Sequence, residues 1–242
     1  MFPKLFTFSV PDFLQGFLPA TITLHSYGLM IALGIVCAFY VTLKKSKHLG
    51  MDADKLSSLF VWVILAAFIG GKLFFFMEDI GKYIAVPSKI KRAMGGGFVF
   101  YGSLIFAIPT IIWWLKKNKI KVRPFLDILA FAGPIVHSFG RIGCFLAGCC
   151  HGKVCDSPLG VTFTDSDSLA AIKNQPLYPT QLFDITVNVI ILITVLSIQK
   201  KKQFEGKLFL IYLMMYGIGR SIVELFRGDE SRGFLFGGLL SH

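Results

Sequence analysis

The chain has 242 residues, 54% of them hydrophobic and only 16% charged, with 25 phenylalanines and a formal net charge of +11. A mean hydropathy of +0.66 excludes an ordinary soluble domain, and the apolar residues gather in stretches near the ~20 residues that cross a bilayer core. The composition predicts an all-α, polytopic transmembrane helix bundle of about six spans, forming one domain over residues 1–242.

In chain order, residues 4–24 come first, broken by Pro11, Gly16 and Pro19 and preceded by Pro3. They lack the basic start, unbroken apolar run and small-residue cleavage site of a signal peptide. This N-terminal segment is expected to lie at the membrane interface and to stay in the mature chain. The predicted spans follow at about 27–43, 57–77, 98–115, 125–148, 182–198 and 208–226.

Lys44, Lys45, Lys47 and Lys55 follow the first span. Lys116, Lys117, Lys119, Lys121 and Arg123 follow the third, and Lys200, Lys201, Lys202 and Lys207 follow the fifth. Short basic loops stay cytoplasmic, so the N-terminus, the 79–97 loop, the 150–180 loop and residues after 227 are expected outside. Lys82, Lys89, Lys91 and Arg92 in the 79–97 loop weaken that pattern without reversing it. Most of the net charge lies in these loops, where anionic lipid head groups are its natural partner. No nucleic-acid motif is present.

Arg141 stands near the end of the fourth apolar stretch, and a charge there is costly unless it faces a polar cavity or partner. Arg220, Glu224 and Arg227 sit at i, i+4 and i+7 in the last stretch, on one helix face. An Arg-Glu pair with Arg227 snorkelling to the interface accounts for that face alone, but not for Arg141. Two spans each delivering an arginine to the outer side point to a phosphate clamp, because guanidinium meets phosphate oxygens with paired donors. Gly133, Gly140, Gly143, Gly148, Gly152, Gly217 and Gly219 crowd the same region, either for close helix packing or for head-group approach.

Other polar residues in apolar surroundings are His25, Tyr27, Lys72, Tyr101, His137 and Gln181. Four of the five cysteines, Cys144, Cys149, Cys150 and Cys155, fall within twelve residues, with His151 among them. The spacing lacks paired Cys-x-x-Cys knuckles, so zinc is the lesser expectation and a disulfide involving Cys155 fits an outward loop at least as well.

The run Gly140-Arg141-Ile142-Gly143, followed by Gly148 and Gly152, resembles the signature of the phosphatidylglycerol:prolipoprotein diacylglyceryl transferase family. Further landmarks keep the family's order along almost the whole chain. They are His25-Ser26-Tyr27-Gly28, Gly70-Gly71-Lys72-Leu73, Phe100-Tyr101-Gly102-Ser103, Tyr178-Pro179-Thr180-Gln181-Leu182, and Gly219-Arg220 with Glu224 and Arg227. The resemblance implies transfer of a diacylglyceryl group from phosphatidylglycerol to the lipobox cysteine of a lipoprotein precursor, at the outer face of the bacterial inner membrane. It implies no metal or redox cofactor. Tyr101, Arg220 and Glu224 are the expected catalytic residues, and Arg141, Tyr27, Gly140, Gly143, Gly152, Gln181 and Arg227 the expected substrate-binding ones.

Four positions depart from the family pattern. Tyr101 stands where a histidine is usual, Cys144 replaces an asparagine, and Cys149 replaces a glutamate; His151 follows where an aromatic is usual. Tyrosine, with a reference pKa of ~10, is a poorer base at neutral pH than histidine at ~6.5. If thiol transfer persists, His25, His137 and His151 are the imidazoles open to the proton, His151 being nearest the altered signature. The rival readings are a paralogue with another acceptor, a non-catalytic phospholipid-binding or transport protein, and a thiol-redox or metal protein. The chain also stops, after residues 233–242, where the resembled family continues into a seventh span.

Overall fold

The computed structural model describes residues 2–11, 21–78, 80, 99–201, 204–227, 234–235 and 240–241. Among them are six long helices: α1 (Ser26–Ser46), α2 (Ala53–Glu78), α3 (Phe100–Lys117), α4 (Val122–Ala147), α5 (Thr180–Ile198) and α6 (Lys207–Glu224). Each predicted span is therefore a helix. Four are long and apolar enough to cross a membrane: Ser26–Leu49, Ala53–Glu78, Val122–Ala147 and Thr180–Lys201, the first and last including a short 3-10 turn. Six helices, four of them of spanning length and apolarity, are those of the expected all-α polytopic bundle. Both α3 and α6 have 18 residues, about 27 Å at ~1.5 Å per residue. Polar and aromatic residues dilute α3, and Lys207, Arg220 and Glu224 charge α6.

Within the N-terminal segment two strands pair as a hairpin. Strands β1 (Lys4–Ser9) and β2 (Thr21–His25) pair antiparallel, Thr7 facing Thr23, as their β-branched and aromatic residues favour. Gly16 and Pro19 lie outside the described residues. The hairpin is joined to α1 where Ser26 donates its backbone N–H to the Pro3 carbonyl at 3.1 Å.

The chain packs as two compact units, residues 1–42 with 126–242, and residues 43–125. In the second unit α2 meets α3 at glycines. A Cβ added to Gly102 would stand 2.7 Å from Phe74 Cβ, and one on Gly70 2.8 Å from Phe106 Cβ, so the two backbones nearly touch. Trp62 and Trp113 close the same face edge to face, 6.0 Å between centroids.

In the first unit, Ala130 and Phe131 of α4, Ile191 and Val195 of α5 and Leu208 of α6 form a buried cluster. The start of α6 is Gly206, which has no side chain to cap it. Asp127 of α4 does so from across the unit, accepting from Gly206 N and Leu208 N at 2.9 Å and from Phe209 N at 3.2 Å.

Gly148, at φ 81°, ends α4 and turns the chain into the 149–179 segment. That segment is anchored at both ends. Gly152 N donates to Tyr178 O at 2.8 Å, and Lys153 N to Phe226 O at 3.0 Å. Strands β3 (Val161–Thr162) and β4 (Pro176–Leu177) pair over a small core of Phe163, Ala170 and Leu177. A third ladder, β5 (Phe234–Leu235) with β6 (Leu240–Ser241), lies near the C-terminus.

Candidate active site

His137, Arg141 and Cys144 recur at i, i+4 and i+7 on α4, so one face of that helix carries an imidazole, a guanidinium and a thiol. Arg141 Nε lies 3.2 Å from His137 Nε2 and 3.0 Å from Asp184 Oδ2. Asp184 comes from the second turn of α5, and its side chain is only 3% exposed. Sequence reasoning passed over Asp184. The signal was available, since an acid inside an apolar helix is as costly as the arginine that answers it.

Arg220 and Glu224 form an ion pair one turn apart on α6. The charges of Arg141, Arg220 and Arg227 all act on Asp184, so three guanidiniums gather around one buried carboxylate. Against Asp184 and Glu224, those three leave one positive charge over. Arg220 Nη1 is buried and has no hydrogen-bond partner among the described residues. Arg227 does not snorkel. It is 6% exposed, and its backbone bridges to Gly152.

The signature glycines divide by surroundings. A Cβ on Gly140 or Gly217 would meet nothing within 4 Å, leaving open space beside the arginines. Gly143 lies against Tyr27, whose Cδ2 would be 3.1 Å from an added Cβ, and Gly152 against Tyr178 and Thr180 at 2.8 and 2.9 Å. These two serve packing. Gln181 is fully buried and donates Nε2 to Cys149 O at 2.7 Å, while Thr180 Oγ1 donates to Cys150 O at 2.8 Å. Both hold the signature loop from the start of α5.

The thiols of Cys144, Cys149 and Cys150 lie within 4.8 Å of one another. Vicinal side chains normally diverge, but Cys150 adopts φ 61°, a left-handed conformation that brings its thiol back to the side of its neighbours. Hydrogen bonds from Cys144 and Cys149 push the Cys150 thiol down, helped by the Arg141 and Arg227 cations; the Cys149 thiol is pushed up by its bonds with Cys144 and Cys150. Tyr27 is close enough to feel all three thiols and Arg141.

No disulfide joins the cysteines in the structure, and all five are free. Cys155 is buried elsewhere, its N–H donated to Pro176 O at 3.0 Å beside the β3–β4 ladder. His151 also turns away from the expected role. It is buried, Nδ1 donates to Gly152 O at 2.9 Å, and Nε2 accepts from Ala171 N at 3.2 Å. Its ring staples the loop, so neither nitrogen is open to a substrate proton. His25 ends β2 opposite Lys4. Tyr101 belongs to the unit of residues 43–125, 65% exposed in the first turn of α3; Lys72, on α2, lies over the Phe75 ring at 5.6 Å.

The sequence profile of prolipoprotein diacylglyceryl transferases matches residues 17–242. The chain belongs to that family. It is similar to the phosphatidylglycerol–prolipoprotein diacylglyceryl transferase of Clostridium tetani (strain Massachusetts / E88), 37% identical over 206 residues, 85% of this chain and 82% of the relative. It is also similar to phosphatidylglycerol–prolipoprotein diacylglyceryl transferase 2 of Clostridium perfringens (strain 13 / Type A), 37% identical over 218 residues, 90% of this chain and 83% of the relative. The enzyme of that name from Ectopseudomonas mendocina (strain ymp) is 32% identical over 224 residues, 90% and 82% of the two chains. These relatives are bacterial enzymes, and the apolar helices described above are those of a membrane protein. Within the diacylglyceryl transferase family, this chain combines a three-arginine cluster with a thiol cluster in the signature loop.

Proposed function

We propose that this chain transfers the diacylglyceryl group of phosphatidylglycerol to the cysteine thiol of a lipoprotein precursor, at the outer face of the bacterial inner membrane. The carrying observation is the net positive cluster in which Arg141, Arg220 and Arg227 outnumber Asp184 and Glu224. A phosphodiester brings the missing negative charge. Arg141 spends Nε on His137 and Asp184, which leaves its terminal nitrogens to face the lipid phosphate. Arg220 offers Nη1, a buried donor that a phosphate oxygen would satisfy.

The thiol sulfur attacks the glyceryl carbon that bears the phosphate, and the C–O bond breaks toward the phosphate. Glycerol-1-phosphate leaves with an extra negative charge. The arginines stabilise that developing charge more than the ground state, which is what lowers the barrier. Glu224 holds Arg220 in position, and Gly140 leaves room for the head group. The basic ends of α1 and α3, Lys44–Lys45 and Lys116–Lys117, support a cytoplasmic location for those helix ends.

Complementation of a conditional strain lacking its own transferase tests the reading in cells. Purified protein with phosphatidylglycerol and a lipobox peptide tests it directly, and thioether product on the peptide is the expected result. Binding of the phospholipid without transfer to any cysteine peptide would favour a lipid-binding protein. The replacement of histidine by Tyr101 and the engaged ring of His151 make that the rival to exclude.

A further inference from the structure

The family reaction needs a thiolate, yet the imidazoles around the signature loop are committed. His137 Nε2 faces Arg141 Nε, and both ring nitrogens of His151 are used inside the loop. The same loop instead gathers three sulfur atoms within 4.8 Å. Zinc–thiolate bonds of ~2.3 Å at tetrahedral angles place sulfurs about 3.8 Å apart, so the three need to close by roughly 1 Å at most. A left-handed residue at Cys150, which costs free energy unless its surroundings hold it, makes the convergence possible. Gln181 and Thr180 hold the carbonyls of Cys149 and Cys150 and so fix that backbone.

We propose that the sulfurs of Cys144, Cys149 and Cys150 bind one zinc ion as thiolates and that its fourth position takes the acceptor thiol of the substrate. Three protein ligands are the number that leaves zinc a reactive position, whereas structural sites are closed by four. Three thiolates on a dication carry one net negative charge, and the Arg141 and Arg227 cations act on Cys150. Cys149 and Cys150 are half-buried, so a peptide thiol can approach the cluster.

This inference rests on the transferase reading and supplies its missing step. A thiol that coordinates zinc loses its proton, here to water, so no protein base is needed. The zinc-held sulfur then attacks the glyceryl carbon. The S–C bond forms while the C–O bond breaks, and the electron pair leaves on glycerol-1-phosphate beside Arg141 and Arg220. Nothing is oxidised or reduced.

The test uses the full chain in detergent, purified without chelators. Elemental analysis should find about one zinc per chain, falling at least tenfold in Cys144→Ser or Cys150→Ser. Cobalt exchanged into the unaltered protein should give a thiolate-to-metal charge-transfer band, so the result does not depend on whether a variant folds. A lipobox cysteine peptide should shift that band and its serine counterpart should not. Absence of zinc, unchanged zinc in both cysteine variants, or a band indifferent to the cysteine peptide would each overturn the proposal. So would full transfer activity after metal removal, which would leave the transferase reading standing. Zinc and thiol coordination without transfer from any phospholipid would uphold the metal site and remove the reaction assigned to it.

Discussion

On the proposed reading Arg220 and Arg141 offer the lipid phosphate planar forks of donors, so a lysine in either place keeps the charge and loses the paired donors. Charge-assisted hydrogen bonds contribute roughly 1.5 to 3 kcal/mol each, so Arg220→Lys should lower kcat/KM for phosphatidylglycerol about 10- to 100-fold. Steady-state rates with a lipobox peptide measure this, and an unchanged rate would remove Arg220 from the phosphate site. Asp184 makes a different contribution. Its carboxylate answers Arg141 in a buried setting, and removing one partner of such a pair costs about 3–5 kcal/mol because the other charge is left unmet. Asp184→Ala should therefore lower the thermal unfolding midpoint markedly in detergent, with Asp184→Asn intermediate. A midpoint equal to that of the unaltered protein would show that Asp184 is not the structural partner of Arg141.

Helix contacts are set by single positions in the same way. The α2–α3 seam closes on Gly70 and Gly102, where added atoms would collide with Phe106 and Phe74. Gly102→Val should destabilise by about 1–3 kcal/mol through overpacking, whereas Gly28→Ala, with nothing within 4 Å, should be neutral or slightly stabilising. Thermal scanning of the two variants side by side separates crowding from any general effect of losing a glycine. At the other end of the chain, α6 depends on a cap borrowed from α4. Asp127→Ala removes three hydrogen bonds and should cost about 1–2 kcal/mol, felt first at the helix start. Faster amide exchange at Leu208 and Phe209, with α5 amides unchanged, is the local signature expected.

Taken whole, the molecule places polar machinery within helices whose apolar surfaces are largely outward. Leu33, Val36, Phe68, Ile69, Ile190 and Ile193 are all more than 40% exposed, as expected of faces that meet lipid instead of a protein core. The basic loops predict which side of the membrane each end occupies. A cysteine introduced at Asn118, beside Lys116, Lys117 and Lys119, should not react with an impermeant reagent added outside intact cells, and should react once the membrane is opened. Strong labelling from outside would invert the orientation.

The sequence by itself determined the class of molecule, the positions of the helices and the outlines of the cationic site. Hydropathy over ~20 residues and side-chain spacing of three to four along a helix are local quantities, and Arg220, Glu224 and Arg227 can be stacked without knowing what they face. The N-terminal hairpin was not legible, because pairing across residues 12–20 depends on the partner strand. Asp184 was visible only as an isolated acid until the packing of α5 brought it to Arg141. His151 looked open to substrate, yet the fold used both of its nitrogens to hold the loop. The three thiols looked badly spaced, and one left-handed residue together with the anchors from α5 brought them together. Those outcomes belong to tertiary structure, since each depends on a backbone turn or on a partner distant along the chain that no local pattern records.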